Sequence, residues 1–156
     1  MITQHDIRLA CKADAMAIAC LSRDSIELGL GWSWRPPRVL RSIADASTNV
    51  IVCRDARGLA GFGIMKYGDE EAHLLLLAVD AQRRRRGVGS ALMAWLETTA
   101  RAAGLGVIRL EARCSNPAAH AFYRKLGYQQ VARVPGWYRG LEDGVRFAKD
   151  LWERAD

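Results

Sequence analysis

The 156-residue chain has no uninterrupted apolar run near the ~20 residues that a membrane-spanning helix needs, which predicts no membrane partner. Its opening, Met1-Ile2-Thr3-Gln4-His5-Asp6, is polar and lacks the apolar core of a signal peptide. Cysteine is sparse. Cys11, Cys20, Cys53 and Cys114 show no Cys-x-x-Cys spacing and no nearby paired histidines. That pattern argues against a bound metal or a disulfide framework and predicts reduced thiols in a cytoplasmic protein. Internal repeats, linkers and low-complexity segments are also missing. With 50% apolar residues, the whole of 1–156 reads as one domain large enough for its own core. The net charge of +6 raises the question of a nucleic-acid partner. The basic run Arg83–Arg86 carries no interleaved aromatics and belongs to no nucleic-acid motif, so such a partner is disfavoured. Monomer and homodimer both remain open.

The richest segment is Arg84-Arg85-Arg86-Gly87-Val88-Gly89-Ser90, between an apolar run at Leu74–Val79 and an amphipathic stretch at Val88–Ala102. The run reads as a strand and the stretch as a helix. The two glycines let main chain approach a ligand closely, the helix start adds its positive dipole end, and guanidiniums surround the turn. This is a site for a phosphate-rich ligand. Two phosphate loops are excluded: no Lys follows either glycine, as a P-loop requires, and Leu92 stands where a dinucleotide fingerprint needs a third small residue.

The remaining pattern is α+β. Ile7–Leu9 is a short strand, Asp14–Leu28 a helix, Gly29–Pro37 a loop and Pro37–Ala46 a second helix. Val50–Cys53 and Leu59–Tyr67 are strands joined across a turn at Asp55–Gly58. The helix from Val88 is expected to bury Val88, Ala91, Leu92, Trp95 and Thr99 and to stop at Gly104. A strand at Val107–Ala112 follows. Asn116 is an N-cap, Pro117 suits the first helical position, and Gly127 is a left-handed stop, with Phe122 and Leu126 packing inward. The last strands lie near Gln129–Val134 and Val145–Leu151, around a loop at Pro135–Gly144.

Arg84-x-x-Gly87-x-Gly89 resembles the Gln/Arg-x-x-Gly-x-Gly/Ala segment of the GCN5-related N-acetyltransferases (GNAT). Downstream, Asn116-Pro117-Ala118-Ala119-His120-Ala121-Phe122-Tyr123-Arg124-Lys125-Leu126-Gly127-Tyr128 is similar to that superfamily's Asn-x-x-Ala-x-x-x-Tyr-x-x-x-Gly-Phe/Tyr segment. The resemblance covers Ala72 to Asp150 and, before that, only the general layout. It implies a mixed, mostly antiparallel sheet of about seven strands with helices on both faces and strands four and five splayed. It also implies acetyl-coenzyme A as cofactor and direct transfer of its acetyl group to an amine. The turn Arg84, Arg85, Arg86, Gly87, Val88, Gly89 and Ser90 would wrap the pyrophosphate. Asn116 would bond the pantetheine arm, and Tyr123 would stand near the thioester sulfur. Backbone of Leu77, Ala78 and Val79, beside a bulge, would supply N–H donors to the carbonyl oxygen. A phenol, protonated at neutral pH, suits Tyr123 to donating a proton to a departing thiolate.

The attacking amine must be neutral, which calls for a base. Leu110-Glu111-Ala112-Arg113-x-x-Asn116 resembles Leu-Glu-Val-Arg-x-x-Asn of the ribosomal-protein alanine N-acetyltransferases, implying Glu111 as base. Glu111 alternates with Leu110 and Ala112, consistent with an open cleft on one side, or with a surface pair to Arg109 or Arg113. His73 is a rival, since imidazole titrates near ~6.5. Glu70 and Glu71 are further candidate bases, though they read rather as hairpin-loop charges, and His5 and His120 read as surface residues. Pro135–Leu151 resembles the ending of N-terminal acetyltransferases, with Trp137 for the first of two tyrosines and Phe147 for a Met. Trp137 and Tyr138 would form one wall of the acceptor groove. Trp32 and Trp34, in Gly29–Pro36, would form the other, or be core residues. The resemblance favours a protein N-terminal α-amine as acceptor over a polyamine, amino acid or antibiotic. A non-catalytic nucleotide- or RNA-binding module is the reading from another class.

Overall fold

The computed structural model describes residues 5–152; Met1 to Gln4 of the polar opening, and residues 153–156, lie outside the described residues. Strand β1 (Ile7–Leu9) and a 3₁₀ turn at Lys12–Asp14 lead into α1 (Ala15–Ser25) and α2 (Pro36–Ala44). Proline at the first position of α2 surrenders only an N–H that a helix start leaves unpaired. Strands β2 (Thr48–Asp55) and β3 (Gly58–Tyr67) form the expected hairpin, and β4 is Glu71–Val79. A 3₁₀ turn at Ala81–Arg83 precedes α3 (Val88–Ala102). Then come β5 (Val107–Arg113), α4 (Pro117–Lys125), β6 (Gln129–Tyr138) and β7 (Glu142–Asp150).

The seven strands make one sheet in the order β1-β2-β3-β4-β5-β7-β6. Among the described residues, only the β4–β5 pair is parallel. One face packs on α3 and α4 through Leu92, Met93, Leu96, Ile108, Leu110, Tyr123 and Phe147. The other packs on α1 and α2 through Ile18, Trp34, Val39, Phe62 and Ile64. Side chains as fully buried as Leu92 or Ile64 each contribute roughly 1.5–3 kcal/mol.

Several expectations need correction. Helix α1 ends at Ser25, and Leu28 is 70% exposed. The buried face of α3 is Val88, Leu92, Met93, Leu96 and Ala100, so Ala91, Trp95 and Thr99 flank it half-buried. On α4, Tyr123 is the buried residue, and Phe122 and Leu126 are half-buried beside it. Glu71 belongs to β4 and bonds Arg109 at 2.9 Å, so it is no loop charge. The segment Pro135–Gly144 is mostly strand, turning only at residues 139–141. Pro135 is tolerated because β6 is an edge strand with a register shift there.

One bulge organises the centre. Opposite β3, Ile64 pairs with Leu76 and Met65 with Leu74, which leaves Leu75 as an extra residue in β4. Before it, Ala72 and Leu74 face α3; after it, Leu76 and Ala78 face α1 and α2. The same irregularity ends the pairing with β5. Only Glu71–Leu74 pair with Val107–Leu110, and the strands then splay apart.

Candidate active site

The splay opens a gap between Leu75–Val79 of β4 and Glu111–Arg113 of β5. Asp80 N–H donates to the Ala60 carbonyl at 2.8 Å, which sets the alternation of the β3–β4 ladder. Ala78 therefore directs its main-chain groups to β3, whereas Leu77 and Val79 direct their N–H groups into the gap.

Beyond β4 the chain makes the phosphate-suited turn. Arg85 and Gly87 have φ of 65° and 79°, the left-handed region that favours glycine. Among the described residues, no main-chain acceptor takes the N–H groups of Arg84 to Ser90; the first helical bond runs from Ala91 to Gly87. Arg84, Arg85 and Arg86 are exposed, and none forms an ion pair among the described residues. Arg83 does not belong with them. It is 8% exposed, bonds both oxygens of Asp55 at 2.7 Å, and reaches Asp80 at 3.0 Å. That bond, with Arg57 N–H, holds the Asp55 carboxyl down at about 2. His5, expected at the surface, bonds the Arg86 carbonyl at 2.8 Å. Gly89 is crowded from the side: a Cβ there would lie 3.1 Å from Cζ of Phe122.

Tyr123 approaches the gap from the α3–α4 face. Asn116 caps α4 by accepting from Ala119 N–H at 3.1 Å, and Gly127 takes φ 95° at its end. The Tyr123 ring packs edge-on against Phe122 and Tyr128, at 5.1 and 5.8 Å between centroids. Burial pushes its phenol well up, reinforced by Tyr138, and no hydrogen bond to it forms among the described residues. Tyr138 is raised likewise, by burial and then by Glu111.

Glu111 lies on the opposite face, since its neighbours Leu110 and Ala112 face α3. It does not present a carboxylate to an open cleft: the side chain is only 3% exposed. Oε1 meets His73 Nε2 at 2.6 Å, and Oε2 accepts from Arg146 Nε at 3.2 Å, with Arg109 at 3.8 Å. Burial pulls the Glu111 carboxyl upward, but His73 and Arg146 prevail and hold it below the ordinary range. The rival bases are one hydrogen-bonded pair, in which the His73 side chain, 20% exposed, is the more accessible member. Arg146 was not anticipated. Its alternation with Val145 and Phe147 was legible, but its place opposite Glu111 depends on β5 pairing with β7.

The loop between α1 and α2 does lie against the β6–β7 turn. Arg139 donates to the Leu30 carbonyl at 3.0 Å, and Arg113 to that of Leu28 at 2.7 Å while bonding Glu142. Trp34, at 8% exposure, is a core residue and forms no groove wall. Trp32 is half-buried, its N–H given to the Ala19 carbonyl at 3.1 Å. Glu27 shapes the loop, accepting from Ser33 N–H at 2.8 Å and from Ser22 Oγ at 3.1 Å. Trp137 is 42% exposed under Arg146. His120 is not a plain surface residue: it bonds the Arg113 carbonyl at 2.9 Å and packs on Phe147.

A parallel strand pair split beside an amide-lined turn, with titratable groups on either face, is the framework of one enzyme class. The Acetyltransferase (GNAT) family model matches residues 19–128, and the chain belongs to that family. It is 34% identical over 93 residues to the [ribosomal protein bS18]-alanine N-acetyltransferase of Escherichia coli K12, covering 58% of this chain and 63% of that relative. It is 33% identical over 112 residues to the N-alpha-acetyltransferase RimI of Mycobacterium tuberculosis, covering 68% of each. The crystal structure of Ard1 from Thermoplasma volcanium superposes with a TM-score of 0.86 at 27% identity, covering 97% of this chain and all of that one.

Proposed function

We propose that residues 1–156 form a single N-acetyltransferase domain that moves an acetyl group from acetyl-coenzyme A directly to a primary amine, by preference a peptide N-terminal α-amine. The observation that carries this reading is the gap itself, with proton donors on one face of the sheet and a proton acceptor on the other. Bound acetyl-coenzyme A would supply the activated acetyl group as a thioester. The N–H groups of Arg84–Ser90, unpaired among the described residues, and the guanidiniums of Arg84–Arg86 suit its phosphates, and the N–H groups of Leu77 and Val79 suit a carbonyl oxygen. Tyr123, protonated and without a competing partner among the described residues, can give its proton at Oη to sulfur. His73 is the proton acceptor from the amine, and Glu111 its positioning carboxylate. Buried, doubly bonded and held ionised, Glu111 has little basicity to offer directly.

The α-amine preference rests on relatives named for that acceptor and on proton chemistry. An α-amine with pKa ~7.7–8.0 is neutral roughly a tenth of the time at pH 7, whereas lysine near ~10.4 is neutral a few times in ten thousand. Thiol release in the presence of a peptide N-terminus library, beside a panel of polyamines, amino acids and aminoglycosides, tests the reading. We expect turnover on peptides, with kcat/KM levelling near the pKa of the α-amine. Turnover confined to small amines and still climbing past pH ~9 would replace the acceptor assignment. No thiol release with any amine, alongside intact binding, would favour a non-catalytic module.

The donor site has its own test. Gly89→Trp is expected to abolish acetyl-coenzyme A binding in calorimetry, because an indole has no room against Phe122 and Val79 and must displace the turn. Arg84→Ala should weaken binding by about 1–3 kcal/mol, with a shallower salt dependence. Unchanged affinity in Gly89→Trp would remove the donor site from this turn.

A further inference from the structure

Two groups of arginines have no carboxylate partner among the described residues. One is Arg84–Arg86, already assigned to phosphates. The other gathers on the acceptor side, around the loop joining α1 to α2. Arg139 reaches from the β6–β7 turn to the Leu30 carbonyl, so closely that a Cβ at Gly31 would sit 2.8 Å from its Nη1. Arg38 lies 3.8 Å over the Trp34 ring, and Arg35 5.0 Å over Trp32. Stacking leaves the edges of these guanidiniums available as donors.

The nearby acids form no ion pair with them among the described residues. Glu27 is the carboxylate that acts on Arg38, but its oxygens are occupied by Ser22, Ser33 and Trp34. Glu142 is spent on Arg113 and on Ser115 N–H. The like charges of Arg41 and Arg139 also bear on Arg38, adding to the lowering that burial causes. Cations held together in this way cost stability unless a ligand of opposite sign answers them.

We propose that this mouth selects acceptors bearing a carboxylate close to the reacting amine, namely peptides with Asp or Glu at the second or third position. The inference rests on the peptide-acceptor reading above. Arg38 and Arg139 are the specificity-determining residues.

The test compares peptides of equal length beginning Ala-Asp, Ala-Ser and Ala-Arg, by kcat/KM and by calorimetry on coenzyme A-loaded protein. The acidic peptide should exceed the neutral one by about tenfold at low salt, mainly through KM and binding, as charged hydrogen bonds of this kind allow. The basic peptide should be poorest, and the spread should shrink at about 0.5 M salt. Arg38→Gln and Arg139→Asn should each narrow the acidic-to-neutral ratio. Asparagine is chosen at 139 because φ there is 56°. A substitution that merely loosened the loop would lower all three peptides alike and leave the ratio intact, which would overturn the role of that residue. Arg38→Glu should invert the order. Equal kcat/KM for the three peptides, or preference for the basic one, overturns the proposal. Should only small amines be acetylated, the peptide reading fails, and the same comparison between amines with and without a carboxylate decides the charge preference.

Discussion

Tyr123→Phe is expected to lower kcat by ~10²–10⁴-fold while leaving acetyl-coenzyme A affinity and thermal stability close to wild type. The ring is wedged between Phe122 and Tyr128, and phenylalanine keeps those contacts. The hydroxyl makes no hydrogen bond among the described residues, so its removal breaks nothing that holds α4 in place. What disappears is a proton donor that burial keeps fully protonated. Calorimetry with the donor, a thermal melt and steady-state thiol release separate the three quantities. Wild-type kcat in the variant would eliminate Tyr123 as the acid. A parallel loss of kcat and melting temperature would show instead that the hydroxyl supports the fold.

The second large effect concerns His73 and Glu111. His73→Ala is expected to reduce kcat/KM by ~10²–10⁴-fold near neutral pH and to abolish the acidic limb of the pH profile. Glu111→Gln should lower the whole profile while preserving that limb. The sign follows from the carboxylate. Its pKa is depressed in the folded protein, so it stays ionised from neutrality down past the ordinary carboxylate range. Its stabilising contribution is present above that range and is lost only as pH falls through the depressed value. A group in that state cannot produce a limb near neutrality, where an imidazole can. A lowered profile that keeps its acidic limb in Glu111→Gln, with His73→Ala alone losing the limb, is the expected pattern. A limb that vanishes in Glu111→Gln and survives in His73→Ala would return the base to Glu111.

Much of this framework was legible from residues close in sequence. Gly87 and Gly127 stand at positive φ where a turn and a helix end require it, and Asn116 caps α4 through its own third neighbour. The alternation in β5 correctly sent Glu111 to the face opposite Leu110 and Ala112. What was not legible shares one cause. Trp34 stayed open between groove wall and core because its burial under Arg38, against α1 and α2, is not a local property. Arg83 reads in sequence as one more member of the basic run because its partner Asp55 lies 28 residues earlier.

The sequence by itself determined the strand–turn–helix that offers its amides, the capped helix that carries Tyr123, and the alternating strand that carries Glu111. Each depends on backbone preferences and neighbours within a few positions, which physical chemistry reads directly from residue type. Only the tertiary structure decided how these parts meet. The extra residue at Leu75 is visible only against the register of β3, and it both reverses the facing of β4 and parts it from β5. His73 and Glu111 become one pair across 38 residues because parallel pairing sets their strands side by side. Register between distant strands arises from the summed packing of two faces, and no local spacing encodes it.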